Sequence, residues 1–187
     1  MNAPGIRFTR HPYEEPYHLN LQLEASNGRV HGGLDYYCNA EDLKILGKQL
    51  VDFTGADNHE VVYELGSEKP IDRFAFFLSL RVKPLDSSGH CAVQIRLKNY
   101  EEPPSREVME FSIRANVADL NRLGNLLVGF GRLQHRVLEW HVQDGRLIPK
   151  QAWFFRPEAK KSSKCASVLG LLVVLTKTTT QHQRHFE

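Results

Sequence analysis

A chain of 187 residues with 41% hydrophobic and 25% charged side chains can bury one sizeable core, which excludes the disordered and fibrous classes. Its formal net charge of +2 comes from Lys and Arg spread along the chain rather than gathered into a stripe, which argues against a nucleic-acid partner. Three cysteines, Cys38, Cys91 and Cys165, lack Cys-x-x-Cys spacing and point to a reducing cytoplasm, while the longest apolar run, residues 166–175, is too short to cross a bilayer.

The first ten residues show no basic head followed by an apolar run, so no secretory signal is expected. Residues 6–10 read as a short strand. Residues 17–25 alternate, with Leu19, Leu21 and Leu23 on one face and His18, Asn20, Gln22 and Glu24 on the other, the pattern of a half-buried strand. Asn27-Gly28 supplies a hairpin turn because both residues tolerate positive φ. Residues 29–38 return, with Gly32-Gly33 expected to mark a bulge or bend.

A helix then starts at Asn39, an N-cap whose side-chain oxygen can accept an orphan backbone N–H for about 1 kcal/mol. Leu43, Leu46, Gly47, Leu50 and Phe53 recur at helical spacing as its buried stripe, and Gly55 is its expected stop. Residues 61–65 read as a strand and 66–70 as a loop. The apolar run 73–82 has the composition of a strand buried on both faces. After a turn at 84–89, residues 90–98 alternate, 99–105 make a longer hairpin loop, and 108–115 lead into a second helix from Asn116 that is expected to reach about Gln134. Leu138, Trp140 and Val142 alternate over 137–142, which favours a strand over continued helix, followed by a tight turn at 143–145.

The two helical stretches are related. Residues 39–53, NAEDLKILGKQLVDF, return as 116–130, NVADLNRLGNLLVGF, with eight of fifteen aligned positions identical. Around them the order is kept: Pro12, His18 and Asn27 face Pro84, His90 and Asn99 at a spacing of 72, the helices face each other at 77, and His59 faces His135 at 76. The chain therefore reads as an internally duplicated unit of hairpin, helix and strand, residues 5–65 and 74–142. This predicts one α+β domain over 1–150, an antiparallel sheet with two helices on one face, followed by a C-terminal extension at 151–187. Asn39, Asp42 and Gly47, with their counterparts Asn116, Asp119 and Gly124, are assigned to structure. Each mid-helix glycine costs about 1 kcal/mol against alanine, so a close contact is expected at both.

Nine histidines invite a metal site, and His18, His59, His90 and His135 fall at matched positions. Zinc needs ligands converging from local pairs, and only His182 and His185 in the extension have near spacing, without partners; no metal and no cofactor are expected. Cys38 directly precedes the first helix, where a dipole can activate a thiol, but Ala115 holds the equivalent place and makes a small buried residue the simpler reading. Glu41-Asp42 complements the helix dipole. Phosphate-binding, dinucleotide and nucleophile-elbow motifs are absent, so no enzyme is expected and no catalytic residue is assigned. Tyr13, Tyr17, Tyr36, Tyr37, Tyr100, Trp153, Phe154 and Phe155 lie in or near strand edges and loops, where aromatic side chains suit interfaces, although routine sheet packing is the simpler reading for any one of them. The extension sets Lys160-Lys161 and Lys164 before the apolar run, a pairing that suits a membrane surface, but a closing strand or a disordered, non-native extension accounts for it as well and no membrane partner is expected.

Strands, a helix opening Asn-x-x-Asp-Leu-x-x-Leu, the strand HCAVQIRL, a second such helix and a terminal Leu-Glu-Trp strand together resemble small bacterial domains. More distantly, residues 17–142 resemble the WapI-type immunity proteins. That resemblance implies a non-enzymatic protein that neutralises a partner toxin, with no catalytic residues to carry over. The leading expectation is a cytoplasmic protein-binding domain whose partner is another protein. Self-association, or a ligand or catalytic site between the repeats, are the competing readings. Function should lie where the copies differ: loop 101–105, loop 66–70 and the extension.

Overall fold

In the computed structural model, residues 3–150 are described except 12, 14, 57 and 58; the extension, with Trp153, Phe154, Phe155, Cys165, His182 and His185, lies outside the described residues. The described residues belong to one compact unit. Its elements are β1 (Gly5–His11), β2 (His18–Ser26), β3 (His31–Asn39), α1 (Ala40–Val51), β4 (Val61–Gly66), a 3-10 turn (Pro70–Asp72), β5 (Phe76–Pro84), β6 (His90–Asn99), β7 (Val108–Asn116), α2 (Val117–Phe130), β8 (His135–His141) and β9 (Asp144–Pro149).

The fold is α+β with antiparallel sheets, but two sheets form where the sequence suggested one. Their orders are β3-β2-β1-β8-β9 and β4-β5-β6-β7. Within them β1-β2-β3 and β5-β6-β7 have the same order and register. Ile6 faces Ala25 as Leu78 faces Leu97, and His18 faces Asn39 as His90 faces Asn116. The strand after each helix crosses over: β4 pairs with β5, and β8 pairs with β1, so each half closes the other's sheet. Pairing also corrects the alignment of these closing strands. Val62 opposes Arg81 and Val137 opposes Thr9, which makes Val62 and Val137 equivalent at 75 rather than 76. Beyond β8, the strand β9 was not foreseen in the sequence; it follows the turn at Asp144-Gly145 and pairs back on β8.

Local chemistry explains both helix starts. Asp42 Oδ2 accepts the backbone N–H of Asn39 at 3.0 Å, and Asp119 Oδ2 accepts that of Asn116 at 3.1 Å, the returning half of a capping box in each case. Both helices end earlier than expected. The first stops at Val51, with Asp52 as C-cap rather than Gly55, and the second stops at Phe130, with Gly131 as C-cap, short of Gln134.

The helices cross antiparallel where their glycines meet. A Cβ added to Gly47 would lie 2.8 Å from Gly124 O and 2.9 Å from Val128 N; one added to Gly124 would lie 2.6 Å from Gly47 O and 2.7 Å from Val51 N. Only the missing side chains allow this approach. Asn121 of α2 secures the end of α1: its Nδ2 lies 2.7, 3.1 and 3.0 Å from the carbonyl oxygens of Leu50, Val51 and Phe53, which the helix leaves without backbone partners.

Inward side chains of both sheets and both helices form one core, including Ile6, Phe8, Leu46, Leu50, Leu80, Val93, Leu123, Leu127 and Trp140. Each such burial stabilises by about 1.5–3 kcal/mol before entropy is counted. The Trp140 indole N–H donates to Asp119 O at 3.0 Å, tying β8 to the first turn of α2. Gly32-Gly33 is not a bulge, since the β2–β3 ladder runs through both in register. The reason for Gly32 is long-range: an added Cβ would sit 1.7 Å from Met109 Cε of the other sheet.

Candidate protein-binding groove

The six residues assigned to structure occupy structural places. Asn39, Asp42, Asn116 and Asp119 build helix starts, and Gly47 and Gly124 form the helix crossing. Asp119 also holds Arg122 Nη1 at 3.2 Å. Glu41 pairs with Lys44 Nζ at 2.8 Å, and that contact lowers its carboxyl pKa.

Cys38 is buried beside Tyr63. Burial, and secondarily the Asp42 charge, pushes its thiol up to about 12, so the helix start does not activate it. Cys91 is fully buried opposite Ala115. The matched histidines do not converge: His90 Nδ1 lies 2.7 Å from Asp86 Oδ2, the His59 ring is tilted against that of Phe53 with centroids 5.1 Å apart, and among the described residues no three His, Cys, Asp or Glu side chains gather at one point.

What the fold does bring together is the pair of loops that differ between the halves. The Tyr100 hydroxyl donates to Ser67 O at 2.6 Å, joining loop 99–107 to loop 66–72. Asn99 braces the first loop at its base: its Nδ2 donates to Ser105 O at 3.0 Å, and its Oδ1 accepts the Glu107 N–H at 2.7 Å. On the other side, Tyr100 N–H donates to Ala75 O at 3.1 Å, and Lys98 Nζ sits 4.6 Å from the Tyr100 ring centroid.

Between loop 99–107, the start of β5 and β3 lies an open groove of about 530 Å³. Leu34, Ala75 and Phe76 give it apolar surface, Tyr37 and Tyr100 give aromatic walls, and Gln22 and Asn99 give amides. Asp35, Glu101 and Glu107 make it acidic, with no Lys, Arg or His among the lining residues. Tyr37 is 53% exposed and packs edge-on against the half-exposed Tyr13 at 5.1 Å. Tyr17 is exposed as well, whereas Tyr36 is wholly buried and belongs to the core.

The sequence flagged Tyr37, Tyr100 and both loops separately. It missed Asp35 and Phe76 because they enter the groove only through the approach of β3 to the second sheet. The groove combines apolar, aromatic and carboxylate groups beside a loop braced by hydrogen bonds.

No protein-family model and no curated protein matches the sequence. Among solved structures the chain is similar to the plant transcriptional regulator PBF-2, with 11% identity and a TM-score of 0.36 over 67% of this chain and 71% of that one. No helix among the described residues is long and apolar enough to cross a membrane.

Proposed function

We propose that this chain is a non-enzymatic protein-binding module and that the groove beside β3 is its binding surface. The observation that carries this reading is the gathering of exposed Tyr37, Tyr100 and the carboxylates Asp35, Glu101 and Glu107 in one groove, whose loop 99–107 is pinned to loop 66–72 by the Tyr100 hydroxyl. Exposed aromatic anchors ringed by polar groups are the usual energetic centre of an interface. A cytoplasmic setting fits the two buried free thiols, Cys38 and Cys91. An immunity-type role, neutralising a partner toxin, is the specific form suggested by the order of elements.

The test is affinity capture from the native cell by the unaltered chain and by Tyr37→Glu, followed by mass spectrometry. Tyr37 is exposed, so the variant should fold, which thermal unfolding checks. A protein retained by the first bait and lost by the second supports the reading, and a toxin encoded by a neighbouring gene would support its immunity form. Equal recovery by both baits rules the groove out.

Self-association has one observation in its favour: β3 and β7 are nine-residue strands that each end a sheet. A molar mass in solution equal to one chain, about 21.4 kDa, would dismiss it.

A further inference from the structure

The groove runs along β3, the strand that ends its sheet, and reaches Gln22 of β2, which pairs with Asp35. Gly33, Leu34 and Asp35 all line it, although successive residues of a strand point to opposite sides. Three consecutive residues reach one groove where it runs along the backbone. Among the described residues β3 is bonded only to β2 and ends its sheet, so its other side presents N–H and C=O groups without a strand partner there.

No lysine, proline or bulge defends that edge. Exposed edges are ordinarily blunted by lysine, proline or a bulge. β3, HGGLDYYCN, has no Lys, Arg or Pro and runs in unbroken register. Its charge, with that of the opposite wall, is negative: Asp35 on the strand, Glu101 and Glu107 across from it.

Resting on the reading of the groove as a protein-binding surface, we propose that its occupant is an extended, basic segment of a partner protein that adds to β3 as a further strand. Its backbone pairs with the free edge over Gly33–Tyr37. Its Lys or Arg side chains, projecting on alternate residues, meet Asp35, Glu101 and Glu107, and the residues between them lie on Leu34 and Phe76. The backbone pairing gives affinity for any extended segment, while the carboxylates select a basic one.

The probe is a nonapeptide alternating arginine and valine, labelled at its N-terminus with fluorescein and followed by fluorescence anisotropy. Its glutamate-for-arginine counterpart and a version N-methylated at alternate backbone nitrogens are compared with it. The basic peptide is expected to bind at least about tenfold tighter than either. Asp35→Lys and Glu107→Lys, both at exposed positions, should each weaken it by about the same factor. Bound peptide should slow amide hydrogen exchange at residues 33–37. Equal binding of the acidic peptide, indifference to N-methylation, or protection elsewhere would overturn strand addition. If no peptide binds while Tyr37→Glu still abolishes capture, the basic-strand occupant is wrong and the groove reading stands. If capture is also indifferent to Tyr37→Glu, both fail.

Discussion

Replacing Gly124 by alanine pits two well-characterised effects against each other. Alanine should favour the helix by about 1 kcal/mol. The new Cβ, however, would stand 2.6 Å from Gly47 O, 2.7 Å from Val51 N and 3.0 Å from Leu50 Cβ. Two of these are backbone atoms of the facing helix and cannot rotate away, so the helices must separate by several tenths of an ångström or more. Separation loosens Leu46, Leu50, Leu123 and Leu127, all nearly fully buried. Overpacking of this kind costs roughly 1–3 kcal/mol, and the flanking leucines place it at the upper end, leaving a net loss of about 1–2 kcal/mol. For a body of this size that is a fall in Tm of about 2–8 °C. Gly47→Ala should behave alike, since its Cβ meets Gly124 O and Val128 N at 2.8 and 2.9 Å. The double variant should lose less than the sum, because helices already parted accept the second methyl. Urea unfolding of the four proteins measures this. A single alanine variant that gains about 1 kcal/mol would show that propensity alone operates and refute the contact.

Asn121→Ala withdraws the amide from the carbonyls of Leu50, Val51 and Phe53 and should cost about 1–2 kcal/mol in urea unfolding; Asn121→Asp, which sets a carboxylate against those oxygens, should cost more, and an order reversed between the two would argue against the cap. Cys38 gives a pH dependence. The unfolded thiol ionises near its ordinary 9.0 and the folded one near 12, so its contribution is complete below pH 9 and is lost as pH rises toward 12. At pH 10.5 the loss from this group should be about 2 kcal/mol. It should be absent from Cys38→Ala, and an identical fall in that variant would assign the loss elsewhere.

The parts of the fold legible in the sequence are those whose cause is local. Asn39 and Asp42, or Asn116 and Asp119, stand three residues apart and cap their helices whatever surrounds them, and the alternation of Leu19, Leu21 and Leu23 fixes which face of β2 is buried. The crossing of β4 and β8 was not legible, because nothing in VVYELG says which sheet it will join. Gly32 was misread for the same reason: its cause, Met109, is 77 residues away. The groove was half legible. The loops stood out by breaking the repeat, whereas Asp35 and Phe76 join Tyr37 only after two sheets are in place.

The exchange of closing strands also governs when the chain can fold. β1 lies between β2 and β8, so a strand at Gly5–His11 waits for one at His135–His141 before both its sides are paired. During synthesis the first half therefore cannot complete its own sheet, and it leaves β4 without the β5 it pairs with until that strand emerges. Pairings this distant in sequence place folding toward the slow end for domains of its size. Neither half is a domain by itself: cutting the chain between β4 and β5 should yield two fragments that fold only when mixed.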